Sequence, residues 1–97
     1  ETVHEVITKA AGTSWIFEDR VPHILAGDYT PRSAIDIFVK DMGIVVGTGS
    51  AEKFPTPMSS AAMQLYLMTS AAGMGGDDDS SVVRLYAQLA GLDLPGA

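Results

Sequence analysis

The stretch Ala34-Ile35-Asp36-Ile37-Phe38-Val39-Lys40-Asp41-Met42-Gly43-Ile44-Val45-Val46 decides the fold. It is apolar on nearly every side, and an ion left unpaired in such surroundings loses solvation worth several kcal/mol. The pair Lys40-Asp41 must therefore reach the surface or face a charged ligand. At helical spacing Ser33, Asp36, Lys40, Gly43 and Gly47 fall on one stripe, where small residues beside a lysine leave room for a guest. The remaining residues cover far more than a 100° face, so this helix, expected from about Ser33 to Ala51, should be packed on several sides. A competing reading makes Ile44-Val45-Val46 a strand that enters a dinucleotide-binding turn at Gly47-Thr48-Gly49. Glu52 stands where the third glycine belongs, and no acidic residue follows a second strand about twenty positions on.

The neighbouring segments also read as helices. Val3, Val6, Ile7 and Ala10 mark a first helix near residues 2–11 that stops at Gly12. Ser14 is placed to cap a helix from Trp15, and Pro22 to sit in the first turn of a segment Val21 to Ala26 before Gly27-Asp28 turns the chain, which makes two short helices or one bent one. Pro31 precedes the central helix. Pro55-Thr56-Pro57 is a break, with Thr56 as cap and Pro57 first in a helix that runs to about Ala72 and is lined by Met58, Ala62, Leu65, Tyr66 and Thr69. Asp79 should cap a last helix, with Val82, Leu85, Tyr86 and Leu89 buried and Gly91 at its end. The expectation is a single all-α domain with a long central helix.

Composition narrows the partners. Ninety-seven residues suffice for one small core. A net charge of −6 lacks the clustered cations that a nucleic acid demands. No apolar run approaches the ~20 residues of a membrane-spanning helix. The absence of cysteine excludes disulfides and is compatible with the cytoplasm. His4 and His23 lack metal-ligand spacing, and Asp77-Asp78-Asp79 lacks the alternating ligands of a calcium loop, so no metal site is expected and helix capping explains the aspartates better. With 46% hydrophobic residues, some apolar faces should meet another domain or a second copy of the chain.

The strings Ser14-Trp15, Gly27-Asp28-Tyr29-Thr30-Pro31-Arg32, Lys40-Asp41-Met42, Pro55-Thr56-Pro57, Ala72-Gly73-Met74-Gly75 and Asp79-Ser80-Ser81-Val82 together resemble the C-terminal domain of β-hydroxyacid dehydrogenases. The resemblance covers nearly the whole chain. The wording from Trp15 to Leu25 and from Ile37 to Asp41 is most similar to L-threonate dehydrogenases. The fold this implies is that of the C-terminal domain of 6-phosphogluconate dehydrogenase-type enzymes. Two family motifs do not occur here, the Gly-rich Rossmann turn and the helix Gly-x-x-Gly-x-Gly-x-x-x-Lys-x-x-Asn that bears the catalytic lysine. Residues 1–97 are therefore expected to be the C-terminal part of a longer NAD-dependent enzyme, with NADP possible as cofactor, and to be inert without the N-terminal Rossmann domain.

The resemblance assigns no catalytic residue to this chain. It implies that Lys40 faces the nicotinamide end of the cofactor, with Asp41 beside it, and that Ser33 shapes the pocket for a small hydroxy acid, L-threonate first and 3-hydroxyisobutyrate or tartronate semialdehyde as alternatives. Residue types alone favour other roles. Lys40 is placed for an (i, i+4) ion pair with Asp36, worth about 0.2 to 0.5 kcal/mol on an exposed helix. Ser33 is placed for helix capping, and Gly43 and Gly47 for close helix packing. A homo-oligomer is expected of the enzyme. A helical dimerisation domain with no enzymatic role would fit the composition equally.

Overall fold

The computed structural model describes residues 1–95. It contains five α-helices: α1 Thr2–Ile7, α2 Trp15–Leu25, α3 Ile35–Ala51, α4 Pro57–Thr69 and α5 Val82–Ala90. A wide turn over Ser70–Met74 follows α4, and a 3-10 turn over Asp79–Ser81 leads into α5. No strand forms among the described residues, and Ile44 to Gly49 is helix throughout. One isolated antiparallel bridge pairs Ala34 with Asp78.

α1 is shorter than its apolar spacing predicts. The Thr8 hydroxyl donates to the His4 carbonyl at 2.8 Å, and the amides of Lys9 and Ala10 then reach back only three residues, to Val6 and Ile7. Val3 and Val6 are exposed, so no packed face holds the longer helix together. Gly12 does not take the left-handed conformation of a helix stop. Ser14 does cap α2, its hydroxyl accepting from the Phe17 amide at 3.1 Å. Of the two readings around Pro22 the single helix holds, because α2 runs through it to Leu25. Gly27, at φ 68°, then makes the expected turn.

The break between α3 and α4 depends on Gly49. Its carbonyl accepts from the Phe54 amide at 2.8 Å. A Cβ there would meet the Thr56 methyl at 2.8 Å and the Phe54 carbonyl at 2.9 Å, so only glycine lets the loop fold back on the helix. Pro57 is the first residue of α4 as predicted, with Thr56 at the cap position, although the Thr56 hydroxyl lies 3.4 Å from Ser60 Oγ and bonds no amide. α4 ends at Thr69, three residues before the expected Ala72. α3 packs along α4, where Phe38 and Tyr66 stack at 5.1 Å.

The core is small: Ile35, Met74, Leu85 and Ala87 are its buried hydrophobic residues. Several expected core positions are open instead. Met58 on α4 is 86% exposed, and Tyr86 and Leu89 on α5 are at least half exposed. The central helix is also not covered on several sides, since Ile37, Ile44 and Val45 remain exposed along it. The apolar excess seen in the sequence therefore lies on the surface of this chain. Ile44, Val45, Thr48, Phe54 and Thr56 wall an open, mostly apolar hollow of about 560 Å³ at the α3–α4 corner.

Candidate functional site

One face of α3 carries Asp36, Lys40, Gly43 and Gly47, all exposed. No atom outside the helix lies within 4 Å of where a Cβ on Gly43 or Gly47 would sit. The expectation that these glycines serve close helix packing is thus corrected: within this chain the tight glycine of α3 is Gly49, and the lysine face is open. Ser33 does not belong to the stripe, because α3 begins two residues later, with Ala34 at its cap position.

Lys40 pairs with Asp41, Nζ to Oδ1 at 3.3 Å, and both side chains reach solvent. The ion pair with Asp36 does not form. Asp36 Oδ1 instead accepts from the Ser70 hydroxyl at 2.6 Å, and the Asp36 amide donates to the Gly75 carbonyl at 3.0 Å. This carboxylate lies so close over Gly75 that a Cβ added there would be 2.5 Å from Oδ2. α3 is thereby tied to the turn after α4, and Lys40 pairs with Asp41 rather than Asp36.

The three aspartates after Gly76 have three different destinations. Asp77 meets Arg84 at 3.3 Å, and Asp79 meets Arg20 Nε at 2.7 Å. Arg20 also pairs with Asp19 and lies over the Trp15 ring. Asp78 is fully buried, and its Oδ1 accepts from the amides of Arg32 at 2.8 Å and Ser33 at 3.4 Å. Its Oδ2 accepts from the amide and hydroxyl of Ser80. Burial pushes the Asp78 carboxyl up, but the Ser80 hydroxyl and the amides of Arg32, Ser80 and Ser33 outweigh it and bring the pKa from 3.8 to about 2. Capping explains part of the aspartate run, with a shift in residue: Asp78, not Asp79, caps the 3-10 turn, and α5 starts without a side-chain cap.

Ser33 is half-buried, with its amide on Asp78 and its carbonyl accepting from the Asp79 amide at 2.7 Å. It caps no helix; the first amides of α3 are met by the carbonyls of Asp77 and Gly75. Ser33 thus stands at the entry of α3 and Lys40 two turns along it. Sequence reasoning missed Asp78 and the Asp36–Ser70 bond. Both join residues more than thirty positions apart, and only the buried carboxylate's position in a string of three left any signal. His4 stacks against Phe17, and His23 lies 3.9 Å from Asp28. Among the described residues no group of acidic and histidine side chains converges as a metal site would. No described helix is long and apolar enough to cross a membrane.

The fold is an all-α domain, and the proteins it is similar to are hydroxyacid dehydrogenases. The chain belongs to the family described as "NAD-binding of NADP-dependent 3-hydroxyisobutyrate dehydrogenase", whose pattern matches residues 1–86. An L-threonate dehydrogenase of Cupriavidus necator is 55% identical over 96 residues, which are 99% of this chain and 31% of that protein. An L-threonate dehydrogenase of Escherichia coli K12 is 47% identical across 100% of this chain and 31% of its own length. The crystal structure of a 3-hydroxyisobutyrate dehydrogenase from Salmonella typhimurium superposes with a TM-score of 0.84 at 50% identity, over 87% of this chain and 30% of that one. The chain therefore spans about 31% of the length of the curated relatives it matches.

Proposed function

We propose that this chain closes the cofactor cleft of an NAD(P)-dependent dehydrogenase that oxidises L-threonate to its 2-oxo acid. An N-terminal Rossmann domain would bind most of the dinucleotide, and the whole enzyme would be a cytoplasmic homo-oligomer. The observation that carries the reading is Lys40: exposed, released from Asp36, and flanked by glycines around which nothing is packed. A cationic donor on such a face fits the nicotinamide half of a dinucleotide. The net charge of −6 suits a domain that leaves the phosphates to a partner.

The bound cofactor supplies the hydride acceptor. In this chain Lys40 would donate to the nicotinamide half, and Asp41 would hold the ammonium over the face. Ser33 would offer its hydroxyl to a substrate hydroxyl, where a small polar side chain suits a longer hydroxylated acid better than a bulky one. The 50% identity to a structure titled as a 3-hydroxyisobutyrate dehydrogenase keeps that shorter substrate as the second reading. A panel of hydroxy acids given to the full-length enzyme separates the two.

The direct test is Lys40→Ala in the full-length enzyme. The expected result is a rise in the cofactor's KM or a fall in kcat/KM of at least about tenfold, ~1.4 kcal/mol of transition-state binding, with the melting temperature barely moved. Unchanged kinetics with unfolding several degrees earlier would make Lys40 a structural residue and overturn the reading.

A further inference from the structure

Among the described residues Asp78, at 0% exposure, is the most buried carboxylate, and it lies just ahead of the 3-10 turn rather than in a helix. Burying a carboxylate is costly unless hydrogen bonds replace its water. Here they do. Of its partners, the amides of Arg32 and Ser33 lie 46 and 45 positions away in sequence and form the segment that enters α3. Ser80 holds the other oxygen through both its amide and its hydroxyl, which fixes the carboxylate's rotation. The Asp79 amide takes the Ser33 carbonyl, so Ser33 is gripped on both sides of its Cα. Its hydroxyl makes no hydrogen bond among the described residues. A backbone pinned this firmly holds the side chain it carries in one place, as a preorganised contact requires.

We infer that Asp78 is a positioning residue for substrate selection: its carboxylate sets the Arg32–Ser33 backbone and thereby the place from which the Ser33 hydroxyl meets a hydroxylated substrate. The inference rests on the assignment of Ser33 to the substrate pocket. Asp78 touches no substrate. Arg20 supports the arrangement from behind, Nε lying 3.7 Å from Asp78 Oδ2 while its shorter bonds go to Asp79 and Asp19.

The experiment measures kcat/KM of the full-length enzyme for L-threonate and for 3-hydroxyisobutyrate, in the parent, Asp78→Asn, Ser80→Ala and Ser33→Ala. Asp78→Asn keeps one acceptor oxygen and loses the charge that strengthens both grips. It is expected to lower the preference for L-threonate by about fivefold or more, since the side-chain NH2 cannot accept from the backbone amides on its side, and Ser33→Ala by a similar amount, since it removes the hydroxyl itself. Ser80→Ala, which removes the hydroxyl bond to Oδ2 and keeps the amide bond, is expected to shift the preference in the same direction by about twofold. It also serves if Asp78→Asn does not fold. A purely structural role for Asp78 would lower both substrates' kcat/KM together and leave the ratio unchanged. If Ser33→Ala changes the ratio while the Asp78 and Ser80 variants do not, the inference fails and the pocket assignment stands. If Ser33→Ala leaves the ratio unchanged, the pocket assignment fails and the inference with it.

Discussion

The carboxylate of Asp36 takes the hydroxyl of Ser70 at 2.6 Å instead of the ammonium of Lys40 one turn along its own helix. Local spacing favours the lysine, yet an (i, i+4) pair on an exposed helix is a weak competitor, worth only a few tenths of a kcal/mol. A charge-assisted bond that also anchors the turn after α4 wins. The consequence is that α3 is tied to the turn after α4, while Lys40 pairs with Asp41 instead.

Gly75→Ala tests how tightly that anchor is built. The added Cβ would lie 2.5 Å from Asp36 Oδ2, so the carboxylate must swing off Ser70. A loss of about 1 to 2 kcal/mol in denaturant unfolding is expected. In an Asp36→Ala background the same change should cost much less, and additive costs would show that the contact is unimportant.

Glycines on α3 should respond in opposite directions. Gly49→Ala meets the Thr56 methyl and the Phe54 carbonyl and should destabilise by about 1 to 3 kcal/mol. Gly47→Ala meets nothing and should stabilise the chain by up to about 1 kcal/mol, since it restricts the unfolded chain and improves helix propensity. In the full-length enzyme Gly47→Ala should nevertheless weaken cofactor use. Parent-like cofactor KM would argue that the open face is not a cofactor surface.

Acid stability should depend on Asp78. Its folded pKa, about 2, is below the ordinary 3.8, so the folded state binds this proton more weakly than the unfolded state does. The stabilisation is complete above the unfolded value and is lost as pH falls from about 4 toward 2. Unfolding free energy of Asp78→Asn should therefore vary less with pH in that window than the parent's. Asp28 is also lowered to about 2, chiefly by the Thr30 amide, and titrates in the same range, but its side chain is 41% exposed and water screens its bonds. Asp28→Asn should change the profile far less, and equal flattening by the two variants would remove Asp78 from this role.

The chain expressed alone should self-associate. Phe54, Met58, Ile44 and Val45 are all exposed large hydrophobic residues, more than a stable monomer usually leaves open in one region. Light scattering at high micromolar concentration should give a dimer or a larger species, and Phe54→Ser should lower the apparent mass. A monomer throughout would mean these faces serve only the rest of the longer enzyme.

Much of the architecture was legible because helices are written locally. The apolar run through Val46, the cap at Ser14, Pro57 opening α4 and Gly91 closing α5 each depend on residues within a turn or two. The errors share a cause as well. α1 was drawn too long, and Met58, Tyr86 and Leu89 were assigned to a core, because periodicity reports that a face is apolar without reporting what covers it. Lys40 and Asp41 could be singled out from sequence as charges in an apolar helix, and both side chains reach solvent on it.

The sequence by itself determined the helical class, the order of the helices and the family, since these follow from spacing, turn residues and motifs along the chain. Only the tertiary structure decided where the charges go. Asp36 finds Ser70 across 34 positions, Arg20 finds Asp79 across 59, and Asp78 reaches back to the entrance of α3. A carboxylate's partner is whichever donor folding brings within hydrogen-bond distance, and the strongest of those donors lie beyond the reach of any local pattern.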